Sequence, residues 1–148
     1  MTGLVVDASV AMKWYVNEAG SLAAHRILES SVNLHAPSLM RLELINGMWK
    51  NWRKKIVSEQ EIRDAASLVE RAIGSWRQTG DLLEAALSLS IALDHVIYDC
   101  LYLALAKEIG ATLITADKRL LTVAPKGVGG GAGGVDVIAS CPAAPRPQ

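Results

Sequence analysis

Leu4-Val5-Val6-Asp7-Ala8-Ser9-Val10 sets a short apolar run directly against a carboxylate and a residue pair suited to capping a helix. The run reads as a buried strand, and Asp7-Ala8-Ser9 as its exit into a first helix over Val10 to Val16. The same pattern recurs late in the chain, where Thr112 to Thr115 reads as a strand and Asp117 starts a short helix. Between them the spacing predicts a helix over Ser21 to Leu28 and a strand over Val32 to Ala36 closed by Pro37. A helix opened by Ser38 follows, with Leu39, Leu42, Ile45, Trp49 and Trp52 at intervals of three and four as its inner stripe. Ser58 with Glu61 is a capping-box pattern for a helix to about Ile73. Asp81 to Leu93 and Tyr98 to Glu108 read as two more helices, the second stopped by Gly110. Strands alternating with helices predict a three-layer α/β/α sandwich with a mainly parallel central sheet.

The chain is 148 residues long, enough for one domain with a real core, expected over residues 1–140. A glycine-rich loop is expected at 127–134, then Val135 to Ile138 as an edge strand and a loose tail over 141–148. Fifteen basic and fifteen acidic side chains balance, so any nucleic-acid contact depends on a local patch. A mean hydropathy of +0.24 leaves room for a sticky surface and a partner. Cys100 and Cys141 are too few, and too unlike in context, for a disulfide framework or a zinc site. His25, His35 and His95 are scattered, no serine sits in a nucleophile elbow, and the glycine tract lacks the Gly-Lys-Ser/Thr ending of a phosphate loop. No apolar run has the length of a membrane span and Asp7 comes too early for a signal peptide, so the expected compartment is the cytoplasm.

The chemistry rests on four acids: Asp7, Glu43, Asp99 and Asp117. Each has a plain structural role to weigh. Asp7 and Asp117 are good N-caps, Asp99 suits the first turn of a helix, and Glu43 is a polar residue on a helix flank. Jointly they say more, because Asp7 and Asp117 follow strands, and ligands of open α/β sheets sit beyond the carboxyl ends of strands. Two carboxylates about 4 Å apart repel by roughly 4 kcal/mol at an effective dielectric near 20. A converging set therefore calls for protons or a cation, and an all-oxygen set suits Mg²⁺ or Mn²⁺. Asp94 is a reserve candidate, better placed to close its own helix. Lys50, Arg53, Lys54 and Lys55 interleave with Trp49 and Trp52, either as a solvated helix end or as an RNA-phosphate or partner contact through Arg53 and Lys54.

Val6 to Trp14, the Glu43 helix, Tyr98 to Ala106 and Thr115-Ala116-Asp117 together resemble the PIN-domain nucleases, and more narrowly the VapC toxins of type II toxin–antitoxin pairs, over about residues 4 to 123. The resemblance implies a metal-dependent endoribonuclease whose acid quartet is Asp7, Glu43, Asp99 and Asp117, with Ser9 and Thr115 as supporting hydroxyls. It also implies Mg²⁺, with Mn²⁺ as a substitute, an RNA substrate, a cognate antitoxin, a homodimer, and operator DNA reached only through the antitoxin. Lys118 and Arg119 stand where some members carry a further acid, which bears on whether a second metal is held. The rival functions are a housekeeping PIN nuclease of RNA maturation and a non-catalytic PIN-like protein-binding module; the presence of all four acids weighs against the second. A Mg²⁺-dependent phosphatase is weaker still, because Asp7-Ala8-Ser9 lacks the second acid of an Asp-x-Asp motif.

Overall fold

Five strands and seven helices alternate among the residues described by this computed structural model, 3–127 and 135–137. In chain order they are β1 (Leu4–Val6), α1 (Ala8–Tyr15), α2 (Ser21–Glu29), β2 (Leu34–Pro37), α3 (Met40–Arg53) and α4 (Glu59–Ala72). β3 (Ser75–Arg77), α5 (Thr79–Leu93), α6 (Ile97–Ile109), β4 (Thr112–Thr115), α7 (Lys118–Gly127) and β5 (Val135–Val137) complete them. The strands form one sheet in the order β3-β2-β1-β4-β5. Every pairing is parallel, with Val5 opposite His35 on one side and Leu113 on the other. This is the α/β/α sandwich that the alternation of elements predicts.

Strand order places the site. The chain leaves β1 toward β2 and β3 on one side and later crosses back to β4 and β5 on the other. The turns after β1 and β4 therefore diverge at the centre of the sheet and leave a crevice between them. Val5 and Val6 are fully buried there, as the apolar run requires. α6 lies against β1, β2 and β4 and packs on α5, which accounts for seven consecutive buried residues from Cys100 to Ala106. A helix covered on nearly all sides is apolar nearly all round. It stops at Gly110, whose φ of 66° is open to glycine at little cost. α1 packs against α2, α3 and β4. A Cβ on Gly47 would stand 2.0 Å from the Met12 Cε, so the bare glycine lets α3 approach α1 closely.

Several expectations need correction. The inner stripe of α3 is Met40, Leu44 and Met48, whereas Leu42 is 72% exposed, Trp49 44% and Trp52 46%. Both sets recur at helical spacing, the buried one at intervals of four, and the larger tryptophans favour the wrong one. Ser38 does not cap α3, because its hydroxyl pairs with the Thr79 Oγ1 at 2.9 Å, and that Thr79 oxygen accepts the Leu39 N–H. β2 ends at Pro37, as expected, but starts at Leu34 and not at Val32. β3 has no counterpart among the expected elements; three residues ending in Arg77 make no recognisable run. Gly127, expected in the loop, ends α7. Residues 128–134, Ile138, the boundary at 140 and the tail over 141–148 lie outside the described residues. Ser58 caps α4 through the Glu61 N–H at 3.1 Å, as the capping box requires. Asp94 closes α5 in a left-handed conformation. Among the described residues no single helix is long and apolar enough to cross a membrane.

Candidate active site

Asp7 begins as a local feature. Its Oδ1 accepts the Val10 N–H at 3.2 Å and caps α1. The Ser9 hydroxyl donates to the same oxygen at 2.5 Å, and the Thr115 hydroxyl donates to Oδ2. Both hydroxyls also accept from the turn after β4: the Ala116 N–H reaches the Ser9 Oγ at 3.0 Å and the Asp117 N–H the Thr115 Oγ1 at 3.0 Å. One carboxylate, only 6% exposed, thus laces together the two turns that flank the crevice. Three donors restrict it to one orientation.

The other acids arrive from the helices. Glu43, in the first turn of α3, is half-buried and accepts the Tyr102 hydroxyl at 2.5 Å. Asp99, in the first turn of α6, holds the His95 Nε2 at 2.7 Å, four residues back. Asp117 receives both nitrogens of an Arg119 fork, Nη2 at 2.9 Å and Nε at 3.2 Å, and its Oδ1 also accepts the Arg119 N–H at 2.9 Å. The structure therefore gathers Asp7, Glu43 and Asp99 closely enough to repel one another, and sets Asp117 beside them through Thr115 and His95.

Burial pushes the Asp7 carboxyl above the usual carboxylate range; its three hydrogen bonds oppose the rise and the Asp99 charge adds to it. Burial likewise raises Glu43, with Asp7 and Asp99 adding repulsion and the Tyr102 hydroxyl pulling the other way. Tyr102, buried against these anions, is held well above the ordinary phenol value. Asp117 goes down, because the Arg119 guanidinium favours its charged form. Among the described residues neither Asp7 nor Glu43 has a cationic partner.

An all-oxygen set carrying uncompensated negative charge suits a hard divalent cation. As placed, no three His, Cys, Asp or Glu side chains among the described residues stand together at ligating distance. The reason is visible in their partners: Asp99 is turned to His95, Asp117 to Arg119 and Glu43 to Tyr102. Holding an ion at Asp7 requires at least two of these contacts to loosen. The Arg119 side chain is 83% exposed, so releasing Asp117 costs little, whereas the His95–Asp99 pair is part-buried, with side chains 15% and 25% exposed.

His95, Tyr102 and Arg119 were not among the candidate residues. Only His95 carried a local signal, four residues before Asp99; Tyr102 reaches Glu43 from fifty-nine residues away. Arg53 and Lys54 do not meet the acids. They lie at the far end of α3, where Trp49, Lys50, Arg53 and Lys54 line a cleft of 410 Å³. A second cavity, of 430 Å³, opens beside the acids and is bounded by Ser9, Lys13, Glu43, Asn46 and Lys50 among others.

Comparison with known proteins bears on the family and the fold. The PIN domain family profile matches residues 4–126. Ribonuclease VapC3 of Pyrobaculum aerophilum is 32% identical over 122 residues, covering 79% of this chain and 91% of that protein. Ribonuclease VapC9 of Mycobacterium tuberculosis is 30% identical over 122 residues, covering 79% and 87%. The crystal structure of PAE2754 from Pyrobaculum aerophilum superposes with a TM-score of 0.68 over 92% of this chain and 83% of that one; at 20% identity this is a likeness of fold.

Proposed function

This chain belongs to the PIN-domain family, in its VapC branch, and from that premise we propose that it is a Mg²⁺- or Mn²⁺-dependent endoribonuclease, the toxin of a toxin–antitoxin pair. The observation that carries the proposal is the crowding of Asp7, Glu43 and Asp99, uncompensated by any cation on Asp7 or Glu43, at the crevice between β1 and β4. Asp7, fixed by Ser9, Thr115 and the Val10 N–H, would anchor the divalent ion, with Asp99 and Asp117 as its further ligands once released from His95 and Arg119. An ion held there would supply Lewis-acid polarisation of the scissile phosphate and a lowered pKa for an attacking water. Glu43, oriented by the Tyr102 hydroxyl and carrying a raised pKa, is placed to orient that water and take its proton. Released from Asp117, Arg119 is free to meet phosphate charge.

The partners follow from the same features. A cognate antitoxin would combine apolar anchors with one arginine directed at the acids. The Arg119 fork on Asp117 is an internal precedent for a guanidinium seated on this site. The exposed apolar row of α5, Leu83, Leu87 and Ile91 at intervals of four, is the face for a homodimer. The toxin acts on cytoplasmic RNA and meets operator DNA only through the antitoxin.

The test is cleavage of a single-stranded RNA by the purified chain in Mg²⁺, in EDTA, and as the Asp99→Asn variant, with the cut ends mapped. Cleavage is expected in Mg²⁺ alone and absent from the variant. Undiminished cleavage in EDTA, or by the variant, would overturn the assignment.

A further inference from the structure

Lys13, Arg41, Arg63, Arg77 and Arg119 are engaged by carboxylates. Lys50, Arg53, Lys54 and Lys55 have no carboxylate partner among the described residues; the same holds for Arg26, Arg71, Lys107 and Lys118, but those stand apart from one another along the sequence, whereas these four cluster at the end of α3. The α3 sequence after Glu43 holds no acid at all. Favourable placement at a helix C-terminus accounts for part of this charge. It does not account for Trp49 beside it, whose ring is left open to solvent with the Arg53 guanidinium 5.3 Å from its centroid.

Lys50 joins this cluster to the acids. It borders both the cleft formed with Trp49, Arg53 and Lys54 and the cavity beside Glu43. On the helix it lies seven residues beyond Glu43, two turns further along nearly the same line, about 10 Å away. The cavity's other cation is Lys13, whose side chain is only 12% exposed. Its ammonium is fixed by the Glu18 carboxylate at 3.2 Å and the Ala19 carbonyl at 2.6 Å. An ammonium has three donors, so one remains after these two.

We infer that the RNA strand reaches the acids along the C-terminal half of α3: Lys13 and Lys50 hold the phosphate next to the scissile one, and the following base stacks on Trp49, edged by Arg53. The inference rests on the ribonuclease function proposed above and names the surface that positions its substrate. Single-stranded RNA fits because the track joins cations to an open aromatic face, the two features that bind unpaired strands without base-specific contacts. A protein partner seeking apolar anchors would instead use Trp52, which lies on the opposite edge of α3 from Lys50.

The experiment measures binding of a fluorescein-labelled single-stranded RNA oligonucleotide by anisotropy across a KCl series. The protein carries Asp99→Asn to prevent cleavage and is kept in Mg²⁺. Lys50→Ala should weaken binding and reduce the salt slope by about 0.7, the value of one phosphate contact on a single strand. Trp49→Ala should weaken binding about tenfold or more with an unchanged slope, and Trp49→Phe should restore most of it. Arg63→Ala, on α4, serves as the control and should change nothing. Wild-type affinity and slope in both alanine variants would overturn the inference, as would an altered oligomeric state by light scattering with RNA binding intact. If the parent chain cuts RNA while Lys50→Ala and Trp49→Ala leave KM unchanged, the track fails and the nuclease stands. If the track binds RNA but the parent chain cuts none, the track stands and the nuclease fails.

Discussion

Asp7→Asn should stabilise the metal-free protein and abolish its response to Mg²⁺, so that the stability ranking of the two proteins inverts as metal is added. The structure shows why the fold tolerates the change. An asparagine Oδ1 still accepts from the Val10 N–H and the Ser9 hydroxyl, so the cap of α1 survives. Its amide meets the Thr115 Oγ1, which can rotate to accept where it formerly donated. What is removed is a buried charge that burial and Asp99 both disfavour. Relief of such a functional strain is worth about 0.5–2 kcal/mol; at about 1 kcal/mol it raises the melting temperature of a chain this size by roughly 2–4 °C. Wild type, by contrast, gains about 2.7 kcal/mol at a Mg²⁺ concentration one hundred times its Kd. It should then lead the variant by about 1.7 kcal/mol, or roughly 3–7 °C. Asp7→Ala separates charge from capping: it loses the cap, at about 1 kcal/mol, and should melt below Asp7→Asn under every condition. Thermal melts of the three proteins in EDTA and along a Mg²⁺ titration decide the matter. Equal gains from Mg²⁺ in wild type and Asp7→Asn, or a variant several degrees less stable in EDTA, would refute the reasoning.

In EDTA the melting temperature should fall as pH rises from 5 to 8. Asp7 and Glu43 have raised pKa values, so their contribution is fully present below the ordinary carboxylate range and is lost as pH climbs through the raised values. Asp117, lowered by Arg119, contributes above that range and does not alter the trend. Saturating Mg²⁺ should flatten it, and a melting temperature that climbs with pH in EDTA would contradict both assignments. Tyr102→Phe removes the donor that opposes the rise of Glu43, so the acid limb of the pH–rate profile should move to higher pH, with a stability loss of about 1–2 kcal/mol; an unmoved limb would take Glu43 out of the proton transfer. Ile91→Glu places a charge in the exposed row of α5, at a residue 74% exposed, and should yield monomers by light scattering without lowering cleavage per chain by more than the loss of the partner explains. A wild type that is already monomeric at high concentration would remove that face from consideration.

How legible the site was depends on how local its cause is. Asp7 and Asp117 could be read because the feature that makes each a good N-cap, a carboxylate directly after a strand, also sets it at the carboxyl edge of a parallel sheet. For these two, structural and chemical roles were never alternatives. Glu43 and Asp99 depend on which face of a helix turns inward, so each alone reads as an ordinary helix acid and gains weight only from the joint pattern and the family resemblance. Ser38 shows the limit of local signals, since a good cap was drawn off by Thr79, forty-one residues away. The error on α3 teaches something different. Two apolar rows compete on that helix, and the fold buries Met40, Leu44 and Met48, not Leu42, Trp49 and Trp52. Large apolar side chains left half in water form an exposed patch that a partner or ligand can use. A row that the core has no use for, next to cations that no carboxylate neutralises, is best explained by something outside the chain. The same side chains that misdirect a search for the core thus mark where a ligand should be sought.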